Sequence, residues 1–232
     1  GAAGDSGVTA GAWRPWVLGL DISLRVTGYV VLRAAQEGGG GGGGEGGAAA
    51  AVAAPTVVAM GHVDTSEGGD VYERARCVRT RLEAVRTEVA PAERASRWLV
   101  GIEEFLMGFR AGYMFRWRDL FALAQLNSLV TYDLMTHWQC EPVRVHSQTV
   151  RAHFCIPTRM RKKDSVPVKE DVLTQATRLL AQQRAPKLDW PRTRTGRVQP
   201  HAYDMADALL IARFVCDQQT AAPPPVLPPL DS

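Results

Sequence analysis

The sequence predicts an α/β domain: a mixed five-stranded sheet with helices on both faces. Three observations carry this. Short apolar runs of strand length recur along the chain, longer segments show apolar residues at three- and four-residue spacing, and strands come first, with helices then alternating with them. Trp16–Asp21 is a short apolar run ending in an acid, which reads as a buried strand. Gly28–Leu32 is a second strand, and Thr56–Val63, rich in β-branched residues, a third. Val71–Val89 has helical spacing through Val71, Val78, Leu82, Val85 and Val89. Trp98–Ile102 is a fourth strand, again running into acids, Glu103 and Glu104. Leu120–Trp138 is an amphipathic helix through Leu120, Leu123, Leu126, Val130 and Leu134. Val143–Val145 is a fifth, short strand, and Val168–Leu180 and Ala202–Phe214 are two further helices.

Length and composition fit this reading. A chain of 232 residues, 46% hydrophobic and 22% charged, suits one globular domain with appendages and excludes collagen, coiled coil and wholesale disorder. The appendages are legible. Residues 1–14 are expected to be a disordered N-terminal segment and 15–218 the domain. Within it, residues 38–54 hold 9 Gly and 6 Ala, too little apolar surface to order a loop insertion between two strands. Residues 219–232 form a Pro-rich tail. No run reaches the ~18 apolar residues of a membrane span. The chain begins at Gly1 rather than Met, so processing is expected, and the lack of a targeting signal leaves the compartment open. Cys77, Cys140, Cys155 and Cys216 include no C-x-x-C pair and are expected to be reduced, mostly buried thiols. A zinc site from His137, Cys140 and His146 lacks a fourth ligand.

The net charge of +3 conceals an uneven distribution. Residues 141–200 hold 13 basic and 5 acidic residues, whereas residues 1–140 hold 13 and 15. The basic residues cluster as Arg159, Arg161, Lys162 and Lys163, and again as Lys187, Arg192, Arg194 and Arg197. Any basic run can be a solvated loop, but these lie between acidic motifs, and clustered cations neutralise phosphates with sequence-independent affinity. Trp117 and Trp190 are more ordinary as packing residues than as base-stacking platforms, and His153 and His201 as structural histidines, although His201 stands three residues before Asp204.

The acids are the informative residues. Asp21 and Glu103 each close an apolar strand, so neither reads as a solvated-face charge. Asp204 and Asp207, three apart, share one helix face. Such a pair often only complements a helix dipole, but Leu209, Leu210 and Ile211 follow it, so the helix is expected to be buried. Four carboxylates that converge repel one another unless a cation intervenes, and all-oxygen ligation points to Mg2+ or Mn2+. Two such ions per active site would make a phosphodiester-cleaving centre.

Leu18-Gly19-Leu20-Asp21-Ile22-Ser23-Leu24-Arg25-Val26-Thr27-Gly28-Tyr29 closely resembles the first motif of the RuvC-type Holliday junction resolvases of the RNase H-like nuclease superfamily. Ile102-Glu103-Glu104-Phe105-Leu106-Met107 looks like the second acidic motif of that family. Gln148-Thr149-Val150, Lys169-x-x-Val172 and Asp204-x-x-Asp207-Ala208-Leu209 resemble the later segments, in family order over residues ~16–214. The resemblance implies an RNase H-like, RuvC-type fold and a metal-dependent crossover junction endodeoxyribonuclease that resolves four-way DNA junctions by paired symmetric nicks. Asp21, Glu103, Asp204 and Asp207 would be the metal-binding and catalytic carboxylates, with Lys169 beside them. The helix 119–138 would join a homodimer whose twofold matches the junction. Arg25 and the basic residues Arg159, Arg161, Lys162 and Lys163 would contact DNA. The aromatic that follows the second motif in bacterial members falls at Leu106, leaving Phe105 and Phe109 as candidates for stacking at the junction centre. The Gly-rich insertion is foreign to the bacterial pattern. Other readings are an idle RNase H-like subunit of an organellar ribonucleoprotein, whose signature would be a lost carboxylate, and a nuclease acting on hybrids or another substrate. Ala-, Gly- and Pro-rich low complexity suggests a GC-rich eukaryotic genome and an organellar enzyme, mitochondrial before plastid.

Overall fold

A computed structural model describes residues 14–35, 54–92, 97–104, 117–157, 168–183 and 190–221. Phe105, Phe109, Arg159, Arg161, Lys162, Lys163 and Lys187 lie outside the described residues, as do residues 1–13, all of the insertion but Ala54, and residues 222–232.

Strands β1 (Trp16–Ile22), β2 (Val26–Arg33) and β3 (Thr56–Asp64) form an antiparallel meander, followed by helix α1 (Val71–Val89). Strand β4 (Trp98–Glu103) then returns to lie parallel to β1. After helix α2 (Trp117–His137), strand β5 (Val143–Val145) adds parallel to β4. Helices α3 (Ser147–His153), α4 (Val168–Gln182) and α5 (His201–Ala221) complete the chain. The strand order is β3-β2-β1-β4-β5, so the sheet is mixed, as its sequence pattern implies.

Helices cover both faces, and the two-residue period of the strands sorts side chains between them. Trp16, Leu18 and Leu20 of β1 and Trp98, Val100 and Ile102 of β4 enter the core under α1 and α2. Trp98 is fully buried there between Trp16 and Trp138, with ring centroids 5.7 and 5.2 Å away. Val17, Val30 and Leu32 enter the opposite core under α3, α4 and α5. Because β1 is buried on both faces, its sequence is a continuous apolar run rather than an alternation. By the same parity, Asp21 shares the α5 face with Val17 and Gly19, and Glu103 shares it with Gly101.

That face is shaped by glycine. A Cβ on Gly28 would strike the backbone of Asp204 and Met205; one on Gly19 would lie 2.6 Å from the Ala212 nitrogen; one on Gly101 would lie 2.9 Å from Ile211 and Val215 side chains. Three neighbouring strands thus offer a bare strip on which α5 lies in backbone contact, and the small residues Ala208 and Ala212 complete the fit.

Some details depart from expectation. The segment Gln148-Thr149-Val150 belongs to a short helix, α3, capped by His146. Helix α5 runs to Ala221, past the point where a tail was expected. The amide of Arg14 donates to Gln219 Oε1 at 3.1 Å, and Gln219 Nε2 donates back to the Arg14 carbonyl. This exchange ties residues 14 and 219 to each other. Cys140 and Cys216 are buried, but Cys77 and Cys155 are exposed, contrary to the expectation of mostly buried thiols. His137 faces Asp133 at 3.6 Å, Cys140 donates to the Trp98 carbonyl, and His146 accepts from the Gln148 amide, so the residues of the conceivable zinc site are occupied in three separate places.

Candidate active site

The carboxylates meet where β1 and β4 end and α5 begins. Asp21 pairs in register with Gly28 of β2, and the backbone of Asp204 lies over that same glycine. The glycine contact therefore fixes the first turn of α5 beside the end of β1. Asp21 is 8% exposed, while Glu103, Asp204 and Asp207 are half-buried. Burial pushes the Asp21 carboxyl well above the usual range, and the charges of Glu103, Asp207 and Asp204 push it further. Asp204 is raised by burial and Glu103, against the opposing pull of Lys169. Asp207 is raised to about 6, chiefly by burial, with Glu103 and Asp204 adding and Arg151 and Lys169 opposing. The four acids are 186 or fewer positions apart in sequence but act on one another electrostatically, as only a shared site allows.

Lys169 stands at the exposed start of α4, its ammonium 5.7 Å from the Tyr203 ring centroid, while the Tyr203 hydroxyl donates to Glu170. These contacts join the starts of α4 and α5 and keep Lys169 near Asp204 and Asp207. The structure adds a residue that sequence reasoning missed. Arg151 on α3 also reaches the cluster, with its Nη2 3.7 Å from Asp207 Oδ1, and its buried Nε has no hydrogen-bond partner among the described residues. No motif flags it; only the packing of α3 on α5 brings positions 151 and 207 together.

His201 lies beside the cluster rather than in it. Its ring stacks on His62 of β3 with centroids 3.8 Å apart, and burial together with His62 pushes its imidazole down. His153 is structural, held by Asp217 and the rings of Phe154 and Phe214. Arg25 is exposed at the tip of the tight β1–β2 turn, which Ser23 and Val26 close with three hydrogen bonds. Trp190 is buried and Trp117 exposed.

Four partly buried carboxylates, one of them pushed toward protonation by burial and by its neighbours, are hard oxygen donors that suit a hard divalent cation. Among the described residues, no three His, Cys, Asp or Glu side chains are already close enough together to hold a metal ion as they stand.

The fold is similar to that of solved Holliday junction resolvases. Among solved structures, 27 chains match. RuvC of Thermus thermophilus matches with a TM-score of 0.53 at 16% identity, over 88% of this chain and 96% of RuvC. T. thermophilus RuvC in complex with Holliday junction substrate matches with a TM-score of 0.52 at 15% identity, over 89% and 96%. The yeast mitochondrial Holliday junction resolvase Ydc2 matches with a TM-score of 0.55 at 12% identity, over 91% of this chain and 82% of Ydc2. No protein-family model matches the sequence, and no curated protein does.

Proposed function

We propose that the protein is a metal-dependent endonuclease that resolves four-way DNA junctions by paired symmetric nicks. The observation that carries this is the convergence of Asp21 with Glu103, Asp204 and Asp207 at the ends of β1 and β4 and the start of α5. These four residues would hold Mg2+ or Mn2+, two ions per site. When bound, the ions would supply an activated water and neutralise the leaving oxygen. The protein does the rest. Asp21, fixed by the sheet and buried, sets the floor of the site; Asp204 and Asp207 present two carboxylates from one face of α5. Lys169 and Arg151 both lie near Asp207 and would meet the non-bridging oxygens of a phosphodiester that the acids alone would repel. In-line attack would leave 5′-phosphate and 3′-hydroxyl ends. Similarity to the resolvases named above, one of them mitochondrial, supports branched DNA as substrate and an organellar site of action, the mitochondrion before the plastid. The test is cleavage of a synthetic four-way junction, a linear duplex and an RNA:DNA hybrid in Mg2+. Paired nicks in the junction alone are expected. Cleavage of the hybrid in preference to the junction would replace the substrate assignment, and no cleavage of any would favour an idle nucleic-acid-binding subunit.

A dimer is part of this reading. The outer face of α2 carries Phe121, Gln125, Ser128, Tyr132 and Met135, all exposed and at alternating four- and three-residue spacing, with no charged residue in the stripe. Phe121 and Tyr132 are each 65% exposed. An uncharged, partly aromatic seam with coiled-coil periodicity suits a second copy of the same helix. Phe121→Glu with Tyr132→Glu is expected to halve the mass seen by sedimentation equilibrium and to convert paired nicks into single nicks. An unchanged dimer would place the interface elsewhere.

A further inference from the structure

We infer that residues 190–200, which lead into α5, are a preformed phosphate-binding hairpin, built from Arg192, Arg194 and Arg197, that grips the backbone of a duplex DNA arm beside the carboxylate site. The assignment of the arm as substrate rests on the nuclease reading above; the surface itself is argued from its own geometry.

The loop is rigidly framed. Trp190 is 7% exposed, and its Nε1 donates to Thr177 Oγ1 of α4 at 2.8 Å. Arg192 and Val198 form an antiparallel bridge, the Thr193 amide donates to the Arg197 carbonyl at 2.7 Å, and the Gly196 amide donates to the Thr193 carbonyl at 2.9 Å. Gly196, at φ +80, supplies the left-handed backbone the turn needs. Gln199 Nε2 donates to the Arg192 carbonyl, and Val198 packs on the core. Such a frame holds side chains at fixed positions and lowers the ordering cost of binding.

Its charge is unbalanced. Residues 190–200 hold three arginines and no acid. All three arginines are exposed, and none has an ion-pair partner among the described residues. Elsewhere on this surface Arg76, Arg79, Arg81, Arg86 and Arg213 each face a carboxylate. No large apolar side chain is exposed in the hairpin, so it lacks the anchors of a protein-docking surface. Thr193 and Thr195 add exposed hydroxyls between the arginines.

Its place gives it a purpose. Three residues after Val198 the chain enters α5 at His201, and the first turn of that helix carries Asp204. A polyanion brought to a cluster of four acids is repelled, and fixed positive charge on the adjoining loop offsets that repulsion while keeping the strand over the site. Direct phosphate contacts of this kind position a nucleic acid without reading its sequence.

The test measures binding to a linear DNA duplex, a four-way junction and a single-stranded RNA across a range of KCl concentrations in EDTA. It compares the full wild-type chain with the triple variant Arg192→Gln, Arg194→Gln, Arg197→Gln. Each lost phosphate contact removes about 0.9 from the slope of log K against log salt, so the triple variant should lose about 2 to 3 from that slope on both DNAs. A triple Arg→Lys variant should keep the slope. Should the triple Gln variant not fold, Arg194→Gln alone serves, because that side chain makes no hydrogen bond or ion pair in the structure; a loss of about 0.9 is expected. An unchanged slope in a folded variant, with wild type still binding the junction, overturns this inference and leaves the nuclease reading intact. A slope change seen only on RNA overturns the assignment to a DNA arm. Failure of the wild-type chain to bind any of the three overturns both.

Discussion

Asp21→Asn is expected to end junction cleavage and, at the same time, to raise the melting temperature of the metal-free protein. The amide nearly matches the carboxylate in shape and can donate to Glu103, so the fold is retained. The variant loses the buried negative charge on which cation binding depends. The loss of several kcal/mol of transition-state stabilisation corresponds to at least about a thousandfold in rate. The stability effect has the opposite sign because burial and three neighbouring acids hold the Asp21 pKa high. Between the unfolded pKa, near 4, and the raised folded value, the native state binds more protons than the unfolded chain. Its stability therefore falls as pH rises through that window and is recovered on acidification. Asp207, raised to about 6, acts in the same direction and accounts for an effect of at most about 3 kcal/mol. Metal-free wild type should thus melt at a higher temperature near pH 5 than near pH 8, and Mg2+ should restore the deficit at the higher pH. Calorimetry with and without Mg2+ checks both effects. An Asn variant that melts below wild type near pH 8 would show that Asp21 is a satisfied structural acid rather than one strained by its neighbours.

Gly28→Ala should have an effect out of proportion to one methyl group. The atoms its Cβ would strike are the Asp204 carbonyl and the Met205 nitrogen, which are helix backbone and cannot yield singly. The whole first turn of α5 must lift from β2, carrying Asp204 and Asp207 away from Asp21. Overpacking of this kind costs about 1–3 kcal/mol, which the fold should survive. A displacement of about 1 Å among catalytic groups can cost about 100-fold in rate. The expected result is a folded protein with a modestly lowered melting temperature, cleavage reduced about 100-fold, and undiminished affinity for plain duplex DNA. Full activity would mean that α5 does not need its close seat on the sheet.

Much of this architecture was legible because burial on both faces leaves apolar runs, and an acid at the end of such a run has few explanations. Asp21 and Glu103 stood out for that reason, and strand parity alone puts both on the face that α5 covers. The start of α5 was legible from Asp204 and Asp207, but its end was not. That helix is buried around most of its circumference through Ala202, Met205, Ala206, Ala208, Leu209 and Leu210, so no amphipathic stripe marks its length. Helix α3 escaped notice because seven residues with one buried side chain, Val150, give no periodicity. Arg151 was invisible for a different reason. Its meaning comes from Asp207, a residue 56 positions away that only tertiary packing makes its neighbour. The three hairpin arginines were visible as charge, whereas the hydrogen-bonded frame that holds them was not.

The sheet also separates a carboxylate end from a growth end. In register, Asp21 lies level with Gly28 and His62, whereas Trp16 lies level with Arg33 and Thr56, at the opposite limit of the same three strands. The glycine-rich insertion leaves β2 and enters β3 at that far limit, the whole length of the sheet from the acids. Lengthening a loop there costs little, about 0.6 kcal/mol for each doubling, and leaves the sheet end that carries Asp21 and Glu103 in place. Chain can therefore be gained or lost at this corner with the carboxylate end of the sheet left untouched, which makes it a suitable place to graft a reporter.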